Sequence, residues 1–262
     1  MTAPETRRDL VAAALAAALA APLRPALAAT VGNPAPVPPD RPVRIAMLVY
    51  PGLTALDLVG PQTFLAGLAP GSLHLVGAEA GPVTSDTGLT LVATHGFATC
   101  PADLDVLFVP GGDGTPAQMG NAALLAFLRD RAARAGWIAS VCTGSLILGA
   151  AGLLRGYRAT SHWCVRDAVL PLLGARPVAE RVVFDRDRVT AAGVSAGLDL
   201  GLALAARLRG DAYARTAQLV AEYAPAPPFS AGTPFEAGPA TVRTAEAILA
   251  PLVTGAEAAA RT

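Results

Sequence analysis

The chain has 262 residues, 53% of them hydrophobic, enough for one full core and short for two. Twenty basic residues balance twenty acidic ones, so composition points neither to a nucleic-acid partner nor to an acidic solvating tail. Every basic residue is Arg, and the absence of Lys excludes Schiff-base chemistry.

Residues 1–29 read as an export leader. Arg7 and Arg8 precede a mildly apolar, Ala-rich stretch that ends in Ala26–Ala28. The paired arginines match the twin-arginine route, which predicts an exported, periplasmic protein. Residues 30–42 are rich in proline and read as a linker. No later segment reaches the roughly 18 uninterrupted apolar residues of a bilayer span, so no stable membrane anchor is expected.

From Val43 the chain alternates strands and helices. "VRIAMLVYPG" is an apolar run closed by Pro-Gly and predicts a strand buried on both faces. "LDLVGPQTFLAGL" turns helical, "SLHLVGA" is a short strand, and "GPVTSDTGLTLVATHGF" has the punctuation of a hairpin or edge strands. "DVLFVPGG" is a further buried strand ending in a glycine turn. "NAALLAFLRDRAARAG" is an amphipathic helix with Asn121 placed to cap it, and "WIASV" is the next strand. "RVVFDRDRVTAAG" predicts two strands about a charged turn. "SAGLDLGLALAARL" and "DAYARTAQLVAEY" predict helices, the second capped by Asp211. "APAPPFSAGTPFEAGPA" predicts an extended loop and "TVRTAEAILAPLV" a last helix. The pattern predicts one α/β domain over 43–262, a parallel sheet with helices on both faces.

Three places at strand ends carry chemistry-bearing residues. Cys142 falls where "WIASV" gives way to Thr143, Gly144 and Ser145, small residues that let a tight strand-to-helix turn project its side chain into a crevice. The following helix start would favour a thiolate. A buried, inert thiol is the structural alternative. Asp57 stands among Leu56, Leu58 and Val59, where a carboxyl group is costly unless protonated, paired or used; otherwise it caps a helix. Gly111 and Gly112 can bring bare backbone N–H groups to a ligand. Cys100, Cys142 and Cys164 show no CxxC spacing and the three His residues are scattered, so no metal site is predicted. A Cys100–Cys164 bridge stays open on spacing alone.

"SVCTGSLILGAAGLLRGYRATSHW" resembles the nucleophile segment of the ThiJ/PfpI superfamily, whose fold is of glutamine-amidotransferase-like, flavodoxin-like type. Together with "LDLVGP", "PGG" and "EYAPAPPF", it looks like the bacterial isonitrile hydratases within that superfamily. The resemblance runs from about Val43 to Gly232. It implies Cys142 as nucleophile, Asp57 as the neighbouring acid, and Thr143 where protease-like members carry His. Gly111 and Gly112 become backbone donors, and His162 and Val194 supporting residues. Ala191 and Ala192 depart from a stretch that is Gly-rich in the hydratases. The implied reaction adds water to a small-molecule isonitrile through a covalent thioimidate, without metal or organic cofactor, in a homodimer. Three rivals share the cysteine segment. One is a glyoxalase- or chaperone-like protein acting on reactive carbonyls, and another a non-catalytic redox sensor. The third is the sensor domain of AraC-type regulators, disfavoured because only about 40 Pro-rich residues follow Glu222, too little for a two-helix DNA-binding module.

Overall fold

A computed structural model describes residues 33–262; the proposed leader, residues 1–29, and the start of the linker lie outside the described residues. The strands are β1 (Val43–Leu48), β2 (Gly71–Gly77), β3 (Gly81–Thr84), β4 (Thr90–Ala93), β5 (His95–Gly96), β6 (Val106–Val109), β7 (Trp137–Val141), β8 (Arg158–Ala159), β9 (Arg176–Pro177), β10 (Val182–Asp185) and β11 (Arg188–Ala191). The helices are α1 (Ala55–Leu65), α2 (Thr115–Met119), α3 (Ala122–Ala132), α4 (Gly144–Ala150), α5 (Trp163–Val169), α6 (Ala196–Arg209), α7 (Asp211–Val220) and α8 (Pro234–Ala260).

Seven strands make one sheet in the order β10–β11–β7–β6–β1–β2–β5. All neighbours are parallel except β10 and β11, which form the hairpin read from the charged turn. The central strands β6 and β7 are buried at every residue, which is why they read as unbroken apolar runs and not as alternation. The chain winds from β1 to β2 in one direction and from β1 through β6 and β7 to β11 in the other. Right-handed crossovers therefore put α1 on one face of the sheet and α3 and α4 on the opposite face. Accordingly α1 packs with α6 and α6 with α7, while α2, α4 and α5 form a second group joined by the end of α8. Because all the parallel strands point the same way, the loops after β1, β6, β7 and β11 meet at one edge of the sheet. The reversal of winding opens a crevice there.

Three expectations are corrected. Asp211 does not cap α7; it is the first helical residue, and Gly210 holds the cap position at φ 87°. The last helix starts seven residues earlier than read, at Pro234, because Thr233 caps it: its hydroxyl accepts the Glu236 N–H at 3.3 Å and donates to the Glu236 carboxylate at 2.8 Å. Gly238, at φ 75°, then kinks the helix.

The third correction concerns the linker, whose described part is docked and not free. Val37 is buried, and its N–H donates to the Leu208 carbonyl at 3.2 Å. The Arg209 guanidinium donates to the carbonyls of Val37, Pro38, Arg41 and Pro70 at 3.0, 3.0, 2.8 and 3.3 Å. A proline-rich segment lacks the N–H groups to join a ladder, so its carbonyls need other donors, and one planar cation satisfies four carbonyls together. Replacing Arg209 with Leu is expected to cost about 2–3 kcal/mol and to speed hydrogen exchange at the Val37 amide; unchanged protection there would show that the clamp does not hold the segment.

Candidate active site

Cys142 follows the last residue of β7 with φ at 56°, the left-handed region that a side-chain-bearing residue enters only under constraint. The constraint is visible on both sides of its peptide. Its N–H donates to the carbonyls of Ala191 at 3.1 Å and Ala192 at 2.8 Å, at the end of β11. Its carbonyl accepts the Ser145 hydroxyl at 3.1 Å and the Ser161 hydroxyl at 3.0 Å. Gly144 completes the turn, since a Cβ there would stand 2.3 Å from the Val109 carbonyl oxygen. The sequence thus builds a pinned elbow that lifts one sulfur at the carboxyl edge of the sheet.

Asp57 reaches the same place from the first turn of α1. It is fully buried and caps nothing; Oδ2 accepts the Gly111 N–H at 2.8 Å, while Oδ1 has no hydrogen-bond partner among the described residues. None of the ion pairs among the described residues includes it. Burial lifts its pKa from 3.8 to about 7, against the opposing pull of the Gly111 N–H and of a hydrogen bond from Cys142; the charge of Asp86 raises it further. The thiol of Cys142 is pushed well above its ordinary value, by burial first and by the Asp57 charge next. Backbone N–H groups of Thr143 and Val194 bond the sulfur and pull the other way. The expected resting thiolate is therefore corrected: desolvation outweighs those two donors, so at rest the sulfur keeps its proton beside a carboxyl that titrates near neutrality.

The glycine turn after β6 works differently from the expectation. The Gly111 N–H is committed to Asp57 and the Gly112 N–H to the Thr143 hydroxyl at 3.0 Å, so neither is bare toward a ligand. Their smallness is nonetheless required. A Cβ on Gly111 would lie 2.5 Å from both the Thr143 nitrogen and its hydroxyl and 3.0 Å from the Asp57 carboxylate. Thr143 is itself fully buried, and its hydroxyl lies 2.7 Å from that of Thr115, so what it offers the sulfur is its backbone N–H. Val194 likewise contributes a backbone N–H.

His162 does not bond the reactive pair. Its Nδ1 caps α5 by accepting the Cys164 N–H at 3.4 Å and lies 3.0 Å from the Cys164 sulfur, while its ring packs against Gly193. Burial lowers its basicity, which keeps it neutral. Cys100, Cys142 and Cys164 are all free thiols, so no Cys100–Cys164 bridge is formed. Among the described residues no group of three or more His, Cys, Asp or Glu side chains could hold a metal ion.

Three participants escaped the sequence reading, Tyr50, Thr115 and Ser161, and Ser145 was read only as a small residue of the turn. Ser145 and Ser161 grip the elbow through its carbonyl. The Tyr50 hydroxyl donates to the Pro110 carbonyl at 2.9 Å and lies 3.3 Å from the Thr115 hydroxyl. The Thr-Pro pair at 115–116 marks a helix start and was the one available signal.

The sequence model of the DJ-1/PfpI family matches residues 43–207, spanning the elbow, the acid and the glycine turn. The chain belongs to the DJ-1/PfpI family. Among its members, the isonitrile hydratase of Pseudomonas putida is 49% identical over 209 residues, which cover 80% of this chain and 91% of that protein. The crystal structure of a ThiJ/PfpI family protein from Pseudomonas syringae superposes with a TM-score of 0.82 at 52% identity, covering 91% of this chain and 97% of that one. The transcriptional regulator CdhR of Pseudomonas aeruginosa is 34% identical over 138 residues, covering 52% of this chain and 40% of the regulator. The DJ-1/PfpI match stops short of α7 and α8.

A buried carboxyl that titrates near 7 instead of 3.8 destabilises the fold once it must ionise. The penalty begins as pH rises past the ordinary value and is complete above the raised one; roughly three pKa units correspond to about 4 kcal/mol. Asp57→Asn is expected to stabilise the protein by about 2–4 kcal/mol at pH 8 and to change little at pH 3.5, as read from urea unfolding at both pH values. An equal effect at both would contradict the assignment.

Proposed function

We propose that this DJ-1/PfpI protein hydrates isonitriles to N-substituted formamides. The observation that carries the proposal is the apposition of one strained thiol and one buried, counter-ion-free carboxyl whose second oxygen is unpartnered. The identity to the Pseudomonas putida isonitrile hydratase supports the same reading. An isonitrile carries no net charge, and its terminal carbon must receive both a nucleophile and a proton. A thiol–carboxyl pair supplies both. Acyl transfer needs free N–H groups for an oxyanion, and the Gly111 and Gly112 amides are occupied.

In the first step the ionised Asp57 takes the Cys142 proton while the sulfur adds to the isonitrile carbon. The Thr143 and Val194 amides hold the developing thiolate. Asp57 then delivers that proton to the same carbon, leaving the thioimidate R–N=CH–S–Cys142. Water, deprotonated by the carboxylate, attacks this carbon. The proton taken from water passes from Asp57 to the imine nitrogen, giving R–NH–CH(OH)–S–Cys142; as the C–S bond breaks, the carboxylate moves the hydroxyl proton to the departing sulfur, and R–NH–CHO departs. Atoms balance at one isonitrile plus one water, with no redox step.

The leader carried by Arg7 and Arg8 supports an exported, periplasmic enzyme, checked by fusing residues 1–42 to a reporter with and without Arg7→Lys and Arg8→Lys. Homodimerisation is consistent with the apolar side chains that α8 turns outward, Phe235 and Ile248, and sedimentation velocity decides it.

The enzymatic test follows the isonitrile infrared stretch. Cys142→Ala is expected to abolish its loss, by at least about 10³-fold, and Asp57→Asn to slow it by about 10²–10⁴-fold. Because the carboxylate is the proton acceptor, kcat/KM should fall about tenfold per pH unit below about 7 and level off above it. Turnover by Cys142→Ala, or hydration of methylglyoxal in preference to an alkyl isonitrile, would overturn the proposal.

A further inference from the structure

Gly112, Thr143 and Thr115 form a buried chain of hydrogen bonds, and Tyr50 closes its far end. The Gly112 N–H donates to the Thr143 hydroxyl at 3.0 Å; that hydroxyl lies 2.7 Å from Thr115 Oγ1, which lies 3.3 Å from Tyr50 Oη; Tyr50 donates to the Pro110 carbonyl at 2.9 Å. Thr143 can accept from Gly112 and donate to Thr115, which donates to Tyr50. Every member is then satisfied, and the turn from Pro110 to Gly112 is tied at both ends. Between those ends sits Gly111, whose N–H is, among the described residues, the one donor to the Asp57 carboxylate other than Cys142.

Thr115 has no bond to Asp57 or Cys142, yet it is fully buried at the start of α2, and α2 is braced from outside. The end of α8 packs on it, with Gly255 close enough to Pro116 that a Cβ would stand 3.2 Å away, and Ala256 is fully buried. This brace lies beyond the stretch matched by the family model.

We infer that Thr115 is a positioning residue: through Thr143 and Gly112 it fixes the Pro110–Gly112 turn so that the Gly111 amide is aimed at Asp57. It rests on the reading of Cys142 and Asp57 as the reacting pair. Losing the Thr115 hydroxyl removes the shortest contact of the Thr143 hydroxyl, which keeps the Gly112 N–H at 3.0 Å and the long Gly112 carbonyl contact at 3.5 Å, and so loosens the turn. The Gly111 bond favours the carboxylate, so loosening it drives the acid toward its protonated form. The other groups that face Asp57 are Cys142 on the elbow, Tyr50 after β1, which keeps its bond to the Pro110 carbonyl, and Asp86 beyond β3.

The test is the titration of Asp57 in the full chain, read by carbon NMR of ¹³C-labelled aspartate and assigned by its loss in Asp57→Asn. The comparison sets wild type against Thr115→Val, Thr115→Ser and Tyr50→Phe. Thr115→Val is expected to shift the Asp57 midpoint upward by about one pH unit, the tenfold effect of weakening one hydrogen bond, and to move the acidic limb of kcat/KM with it. Thr115→Ser restores the wild-type midpoint. Tyr50→Phe, which keeps the Thr115–Thr143 contact, shifts it in the same direction by less and serves if Thr115→Val fails to fold. An unmoved midpoint in a folded Thr115→Val or Tyr50→Phe protein, or failure of Ser to restore it, overturns the inference. Should wild type convert no isonitrile, the functional reading falls while the titration still decides the role of Thr115.

Discussion

A carboxyl group and a thiol are held against each other at the mouth of this sheet with no positive side chain to share the charge. In such a setting the pair holds its protons far more tightly than either group would in water, and any negative charge that appears must be met by oriented N–H groups. Gly111 meets it on the oxygen; Thr143 and Val194 meet it on the sulfur. Each of these donors belongs to a loop after a different strand of one parallel sheet, so their convergence follows from parallelism itself. Antiparallel neighbours would have sent half of them to the other edge.

Packing around the pair is correspondingly tight and small. Gly111 and Gly144 have no room for a methyl group, and the elbow peptide is gripped by two strand-end carbonyls and two serine hydroxyls. The left-handed backbone at Cys142 is thus offset by four hydrogen bonds made by its own N–H and carbonyl. Rigidity here keeps the sulfur from relaxing into hydrocarbon, which would make it the inert thiol that a cysteine in an apolar segment usually is.

Much of this was legible from residues alone. Continuous apolar runs ending in Gly, Pro or Cys announced β1, β6 and β7, because strands buried on both faces cannot alternate. Asn121 announced α3, where its side chain does accept the Leu124 N–H at 3.2 Å. Asp57 stood out as a charge with no business among leucines. What stayed hidden depends on distances that sequence spacing does not encode. That the two glycine amides are already engaged requires knowing that Asp57 and Thr143, 54 and 31 residues away, arrive beside them. The thiolate expectation failed for a related reason: a helix start was visible in the sequence, while the depth at which it is buried was not. Tyr50 and Thr115 looked like ordinary strand-end and helix-start residues.

The guanidinium clasp at the end of α6 has a geometric corollary. That helix begins beside Val194 and runs fourteen residues away from the sulfur, which at 1.5 Å per residue separates its two ends by about 20 Å. Arg209 gathers the carbonyls around Val37 at the distant end. The described segment from Val37 to Arg41 is therefore fastened to the body on the side remote from the chemistry, where a change to the clamp leaves the hydrogen bonds of the elbow itself untouched.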